Sequence, residues 1–404
     1  MASTAGERDP MTAELSDDVE QPRITPRPAP TASPQLPRPG DLTLRERAMV
    51  ETSALTDIAL RTVGALSVMG VVAPSLIADR EFVARERDNL AFYGELAAMG
   101  DADLSFPAPE TTPVVFSRPA SSLAQALAKG TVENLDFESP YQARNPAFKD
   151  YWTSFPHNSV ARAQHWRHDD GPRPTLCVIH GFFGSQYLLN GVFFALPWFF
   201  RNGYDILLYT LPFHGRRAEK YSPFSGAGYF SHGFTGFSEA MCQAVHDFRI
   251  FVNYLRGTGV ERIGLTGLSL GGYTTGLIST VEHRIDVTIP NVPVVDVKSL
   301  LHSWVPAEST IKLAARLGHL DQSQLDGALS YSSPLTYQPV VPKERRLIIT
   351  GLGDRLAPPE QAEMLWEHWD RCALHWFPGN HILHVNQGDY LHHMTDFLDR
   401  YLRD

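Results

Sequence analysis

The sequence is poor in cysteine, and its few cysteines lack the spacing of a disulfide framework or a zinc site. Cys177, Cys242 and Cys372 are odd in number and far apart along the chain. Cys177 and Cys372 lie in apolar runs, where a buried thiol packs as a small hydrophobic group. This cysteine usage favours a reducing, cytoplasmic location.

The sequence also lacks a run of basic residues, a signal peptide and a metal or nucleotide motif. Its 35 Lys and Arg against 45 Asp and Glu give a net charge of −10, so nucleic acid is not an expected partner. The N-terminus, MASTAGERDP, carries acidic residues and no apolar h-region. No histidine cluster has metal-ligand spacing and no GxGxxG follows a strand, so no metal and no cofactor are implied.

The N-terminal third differs from the rest of the chain in composition and in hydrophobic pattern. Residues 1–42 are rich in proline and predict a disordered tail, and residues 43–130 predict a helical accessory region. The segment 62–78 is uncharged, but its glycines, serines and proline dilute its hydrophobicity. A helix packed on the rest of the chain or on a partner is therefore favoured over membrane contact. The helices are compatible with covering an active site or with homo-oligomer formation.

From residue 131 to residue 404, short apolar runs alternate with helical stretches. Strands are predicted within 159–168, 175–181, 204–215, 261–267, 284–296, 345–351 and 372–379. This alternation predicts an α/β fold with a mainly parallel central sheet flanked by helices. An insertion at about 297–342 predicts a small helical lid.

The motif Gly267-Leu268-Ser269-Leu270-Gly271 fits the G-x-S-x-G nucleophile elbow, in which a strand turns sharply into a helix. The pentapeptide alone is a weak signal, because five-residue patterns recur by chance. Its context strengthens it, since an apolar strand precedes the motif and a helix start follows it. Ser269 is therefore the predicted nucleophile.

Over about 155–404 the chain resembles the α/β-hydrolase superfamily, in particular its esterase and dienelactone-hydrolase-like branches. The resemblance is carried by HGFFGS, LPFHGRR, GLSLGG, GLGDRLAPP and PGNHILH. It implies the α/β-hydrolase fold and a triad of Ser269, Asp354 and His381, in the chain order described for that fold. His384 remains an alternative base, and Asp296 an alternative acid.

The resemblance also implies an oxyanion hole made by the backbone N–H groups of Phe182 and Leu270. His180 and His214 are expected to fix their loops and not to act as bases. The loop 215–234 and the segment 191–200 suggest an apolar acyl or aromatic binding surface, although core packing is favoured for the second.

Arg216 and Arg217 are candidates to hold a substrate carboxylate. For one of them, solvent or a local ion pair is the favoured alternative.

These residues predict a serine hydrolase that cleaves a carboxylic ester or a related acyl bond of a small molecule. A serine hydroxyl stays protonated at neutral pH, so it needs an adjacent base, and an acyl-enzyme on Ser269 is expected. The motifs do not separate ester from thioester, lactone or amide. Acyl transfer by the same triad and a non-catalytic binding protein that retains the fold are the alternatives.

Overall fold

The computed structural model describes residues 36–37, 40–184, 186–304, 307–317, 319, 321–382 and 387–403. Nearly all of the predicted disordered tail lies outside the described residues, and so does His384. Three short 3₁₀ helices, nine strands and fifteen α-helices occur within the described part of the chain.

The strands are β1 Phe116–Pro119, β2 Thr131–Glu138, β3 Val160–Arg167, β4 Thr175–Ile179, β5 Asp205–Thr210, β6 Ile263–Leu268, β7 Val287–Asn291, β8 Leu347–Gly351 and β9 Ala373–Phe377. The first helices are α1 Leu44–Ala78, α2 Arg80–Met99, α3 Ala102–Ser105, α4 Ser122–Ala128, α5 Lys149–Trp152, α6 Tyr187–Phe193, α7 Leu196–Arg201 and α8 Gly228–Ser231. The remaining helices are α9 Gly233–Gly257, α10 Leu270–Ile278, α11 Val297–Ser303, α12 Ala307–Arg316, α13 Gln322–Tyr331, α14 Pro359–His368 and α15 Gln387–Leu402. The 3₁₀ helices are Pro146–Phe148, Gly215–Arg217 and Lys343–Arg345.

All nine described strands form one sheet in the order β1-β2-β3-β5-β4-β6-β7-β8-β9. Strands β4 to β9 pair in parallel, whereas β1, β2 and β3 add antiparallel pairings at one side. The sheet is therefore mainly parallel, as the alternation of strands and helices predicts. In the β4–β6 register, Ile179 lies opposite Gly267, so the loops that follow these two strands start side by side.

Side chains of the central strands alternate between two buried layers, because successive residues of a strand point to opposite faces. In β4, Cys177 and Ile179 belong to the core layer that contains α9, while Leu176 and Val178 belong to the layer that contains α15. All three cysteines are buried and free. This agrees with the predicted packing of Cys177 and Cys372 as small hydrophobic groups.

The sheet begins earlier in the chain than residue 131, because β1 lies within the segment predicted to be helical. The prediction misses β1 because its four residues, FSRP, are all exposed and form no apolar run. The two long helices α1 and α2 occupy most of that segment, as expected. The insertion 297–342 contains α11, α12 and α13.

Helices α1 and α2 pack against the rest of the fold. Helix α1 contacts α2, α8 and α12, and α2 contacts α9 and α13. Buried Glu86 of α2 accepts the backbone N–H groups of Phe234 (2.8 Å) and Thr235 (3.2 Å) at the start of α9. Tyr93 of α2 donates its hydroxyl to buried Glu239 of α9 at 2.6 Å. Hydrogen bonds to buried carboxylates therefore hold α2 to α9.

Helix α1 is long and apolar enough to cross a membrane, judged by length and composition alone. In the most apolar window of the helix, 22% of the residues are buried against the rest of the fold.

Candidate active site

Ser269 lies at the sharp turn between β6 and α10 in a strained backbone conformation, with φ 57° and ψ −113°. The neighbouring glycines make this turn sterically accessible. A Cβ on Gly267 would lie 2.3 Å from the Gly271 carbonyl oxygen, and one on Gly271 would lie 2.2 Å from the Ile179 oxygen. Both distances are far inside van der Waals contact. The observed geometry is that of a nucleophile elbow.

Asp354 follows β8 and His381 follows β9, and their buried side chains meet. His381 Nδ1 lies 2.6 Å from Asp354 Oδ2, within hydrogen-bond distance. The other oxygen, Oδ1, accepts the N–H groups of Leu356 and Ala357 at 2.8 Å each. The carboxylate is thus held by three partners in an orientation that favours the tautomer of His381 with the proton on Nδ1.

The surroundings of His381 favour its protonated form. Burial alone lowers the pKa of the imidazole, but the charge and hydrogen bond of Asp354, together with the charge of Asp57, raise it above the ordinary value. A base of this kind can take a proton from a hydroxyl and carry the resulting positive charge.

No hydrogen bond joins Ser269 to His381 within the described residues. Such bonds are often long in free enzymes and tighten in the complex with substrate.

Asp296, the alternative acid, caps a helix. Its carboxylate accepts the N–H of Lys298 at 3.1 Å and caps α11. His381 is hydrogen-bonded to Asp354 instead, so the described geometry favours Asp354 as the acid.

The loop after β4 lies beside Ser269. A Cβ on Gly181 would be 3.5 Å from the Ser269 Cβ. Within the described part of the chain, no backbone hydrogen bond uses the N–H of Phe182 or of Leu270. Leu270 is also the first residue of α10, where the helix dipole favours negative charge. The two predicted oxyanion donors are therefore unengaged N–H groups on the two loops that start side by side.

His180 and His214 have loop-fixing contacts, in line with the sequence-based expectation. His180 Nε2 accepts the N–H of Leu211 at 3.1 Å, so Nδ1 carries the proton and donates to the Gly181 oxygen at 2.8 Å. Burial lowers the pKa of His180 to about 4. His214 Nδ1 lies 2.8 Å from the Pro212 oxygen, and burial lowers the pKa of this ring as well.

Aromatic side chains contact Phe182 in the predicted oxyanion loop. The Phe182 ring lies 4.7 Å from Phe183, 6.0 Å from Phe224 and 5.6 Å from Phe230, measured between centroids. Phe224 and Phe230 belong to the loop 215–234, for which the sequence predicts an apolar binding surface.

Residues of the predicted oxyanion loop also line an apolar depression of about 770 Å³. Phe183 and Gly184 contribute to its lining, and so do Leu189, Val192 and Phe193 of α6. The segment 191–200 therefore serves two regions. Its first residues line the depression, whereas Leu196, Phe199 and Phe200 are buried in the core.

Arg217 is not free to hold a substrate carboxylate. Its fully buried guanidinium pairs with Asp247 at 2.7 Å and donates to the carbonyl oxygens of Thr210 and Asn158. Arg216 is exposed. The local ion pair that the sequence allows for one of the two arginines therefore belongs to Arg217.

The sequence-based prediction misses Asp57 of α1. Its Oδ2 accepts the backbone N–H groups of Arg355 (3.0 Å) and His381 (2.9 Å). The only local signal is a charged residue within a mostly apolar helical stretch, and nothing in the sequence connects it with residues about 300 positions away.

Comparison with known proteins extends these observations. The model of the prolyl oligopeptidase family matches residues 242–404, the part of the chain that contains Ser269, Asp354 and His381. Two uncharacterized proteins from Mycobacterium tuberculosis strains CDC 1551 / Oshkosh and ATCC 25618 / H37Rv are each 34% identical over 239 residues. The match covers 57% of this chain and 54% of each relative, so the chain spans about half of their length.

Two solved esterases share the fold. Acetyl xylan esterase 1 from Thermoanaerobacterium sp. JW/SL YS485 has a TM-score of 0.51 at 15% identity, covering 77% of this chain and 93% of that one. The acetyl xylan esterase from Paenibacillus sp. R4 has a TM-score of 0.54 at 15% identity, covering 78% and 95%. The predicted fold class is confirmed, and the family match supports a serine hydrolase. With its nucleophile elbow and mainly parallel sheet, the chain has the α/β-hydrolase fold.

Proposed function

We propose that the protein hydrolyses a carboxylic ester through an acyl-enzyme on Ser269. The observation that carries the proposal is the pairing of buried His381 with Asp354 at 2.6 Å in a fold whose nucleophile elbow bears Ser269. A strained serine, a base with a raised pKa and an acid that orients that base are the components of nucleophilic acyl transfer.

In the proposed reaction, His381 removes the proton of the Ser269 hydroxyl as the oxygen attacks the carbonyl carbon. The N–H groups of Phe182 and Leu270 stabilise the negative charge on the carbonyl oxygen. The imidazolium then returns its proton to the leaving alcohol, and the acyl-enzyme forms. Water, activated by the same base, attacks the acyl-enzyme and releases the acid.

An ester is the favoured acyl substrate for a chemical reason and a structural one. An alkoxide leaves a tetrahedral intermediate more readily than an amide nitrogen, so an ester depends less on protonation of the leaving group. The rings of Phe182, Phe224 and Phe230 beside the oxyanion loop offer an apolar wall for the acyl or alcohol part.

The test is turnover of p-nitrophenyl esters of rising chain length by the wild-type protein and by Ser269→Ala. The proposal predicts hydrolysis by the wild type and none above background by the variant. The preferred chain length then reports the size of the acyl pocket. A folded wild-type protein that cleaves none of these esters would contradict the proposal.

A second candidate is hydrolysis of a peptide or amide bond by the same residues. The observation that favours it is the match of 242–404 to the prolyl oligopeptidase family. Peptide p-nitroanilides, assayed beside the ester panel at equal concentration, separate the two candidates. A higher kcat/KM on a peptide, lost in Ser269→Ala, would replace the ester proposal.

A further inference from the structure

Asp57 connects helix α1 to both loops that supply the acid and the base. A single carboxylate oxygen, Oδ2, accepts the N–H of Arg355, the residue after Asp354, and the N–H of His381 itself. The two hydrogen bonds measure 3.0 and 2.9 Å. Because both end on one atom, they fix the separation of the two loops.

Other contacts at this point hold α1 against the same loops. The Ser53 carbonyl oxygen accepts the side-chain amide of Asn380 at 2.7 Å. The N–H of Gly353 donates to the Gly379 oxygen at 2.8 Å, which ties the two loops to each other. A Cβ on Gly353 would lie 2.4 Å from Ser53 Oγ, so the helix and the loop are in tight contact.

Burial of the Asp57 carboxylate lowers the stability of the fold, and a helix that served only for packing would not need it. The side chain is fully buried, and its Oδ1 has no hydrogen-bond partner within the described residues. Burial raises its pKa, while the two N–H donors oppose that shift. A buried acceptor without a partner costs stability, whereas an apolar side chain would pack here without that cost.

We infer that Asp57 is a positioning residue for the triad, holding the loops of Asp354 and His381 in register and placing a second negative charge beside the imidazole. The inference rests on the proposed function of Ser269 and His381. The charged groups that face Asp57 are Asp354 and His381, and Arg61 of α1 reaches the Arg355 oxygen at 3.5 Å. The charge of Asp57 raises the pKa of His381, in the same direction as Asp354 does.

Two substitutions separate the geometric effect from the electrostatic one. In Asp57→Asn, an amide oxygen can still accept both N–H groups, but the charge is lost. The pKa of His381 should fall, and the acidic limb of the pH profile of kcat/KM should move to lower pH. In Asp57→Ala both hydrogen bonds are lost, and kcat should drop by up to about 100-fold with little change in KM, as expected when reacting groups are misplaced.

Glu86→Gln is the matched control. Like Asp57, Glu86 is a buried carboxylate on an N-terminal helix, and one of its oxygens accepts two backbone N–H groups. Those N–H groups belong to Phe234 and Thr235. Removing this titratable carboxyl should leave the pH profile of kcat/KM and the His381 titration unchanged, because Glu86 contacts neither triad loop.

The experiment measures p-nitrophenyl ester hydrolysis from pH 5 to 9 for the full-length wild type and the three variants. Imidazole NMR titration, with the His381 signal assigned by its absence in His381→Gln, reports the pKa without requiring activity. A lower pKa in Asp57→Asn alone is the expected result.

Identical titrations for Asp57→Asn and Glu86→Gln, or wild-type kcat in folded Asp57→Ala, would overturn the inference. If the wild type hydrolyses no ester, the proposed function fails, while the NMR titration still decides whether Asp57 acts on His381.

Discussion

At the scale of single residues, the arginine pair after β5 shows how burial decides the role of a charge. Arg217 and Asp247 are both fully buried and 2.7 Å apart, whereas Arg216 is exposed. Removing one partner of a buried ion pair leaves an uncompensated charge. Arg217→Met should therefore lower the free energy of unfolding by about 3–5 kcal/mol.

The matched control for this prediction is Arg216→Met, which should change stability little. Urea unfolding of both variants and the wild type measures the difference. Equal stability of the two variants would contradict a structural role of the Arg217–Asp247 pair.

The residues of the proposed triad could be identified from sequence because each lies in a short motif that follows a predicted strand. Ser269 stands between glycines, Asp354 follows IITG, and His381 follows PGN. Asp57 could not be predicted, because it is 324 positions from His381 and makes its contacts through backbone N–H groups. Because almost every residue type has a backbone N–H, a contact of this kind does not require a particular side chain at the partner position.

At the scale of elements, the elbow between β6 and α10 depends on a close approach that only glycine permits. A Cβ on Gly271 would lie 2.2 Å from the Ile179 oxygen of β4, so Gly271→Ala must displace the strand or the turn. We expect this substitution to lower the melting temperature and to abolish activity.

Gly70→Ala is the control for the elbow. Gly70 lies inside α1, and apart from its chain neighbours and the helix backbone no described atom comes within 4 Å of the position that a Cβ would occupy. Alanine should therefore stabilise the helix by about 0.4–1 kcal/mol. Thermal unfolding of both variants checks the pair. A Gly271→Ala protein as stable and as active as the wild type would contradict the steric argument.

Elements differ in how far the sequence reveals them. β4 and β8 are continuous apolar runs whose residues are all buried, so their predicted positions agree with the structure. β2, TVENLDFE, mixes polar and apolar residues because it lies near the edge of the sheet, and only three of its eight residues are buried. Edge strands escape a prediction that relies on apolar runs.

At the scale of the whole molecule, the N-terminal helices are bound to the rest of the fold by buried carboxylates, and this makes stability depend on pH. Burial raises the pKa of Glu86 to about 7 from an ordinary value of 4.5. The folded protein therefore favours the neutral carboxyl. The stability that depends on the neutral Glu86 carboxyl is fully present below pH 4.5 and is lost as the pH rises through about 7.

Glu86→Gln removes this titration and keeps an oxygen acceptor for the N–H groups of Phe234 and Thr235. Relative to the wild type, the variant should gain about 3 kcal/mol in unfolding free energy between pH 4.5 and pH 8. Urea unfolding at the two pH values measures the change. A difference between the two proteins that does not vary with pH would contradict the raised pKa.

The central claim is that Ser269 is a nucleophile activated by His381. Its most direct test is intact-mass analysis after treatment with a fluorophosphonate, which reacts with activated serines, for the wild type, Ser269→Ala and His381→Ala. The account predicts one adduct on the wild type, located at Ser269 by peptide mapping, none on Ser269→Ala and strongly slowed labelling of His381→Ala. A folded wild-type protein that stays unlabelled, or equal labelling of Ser269→Ala, would contradict it.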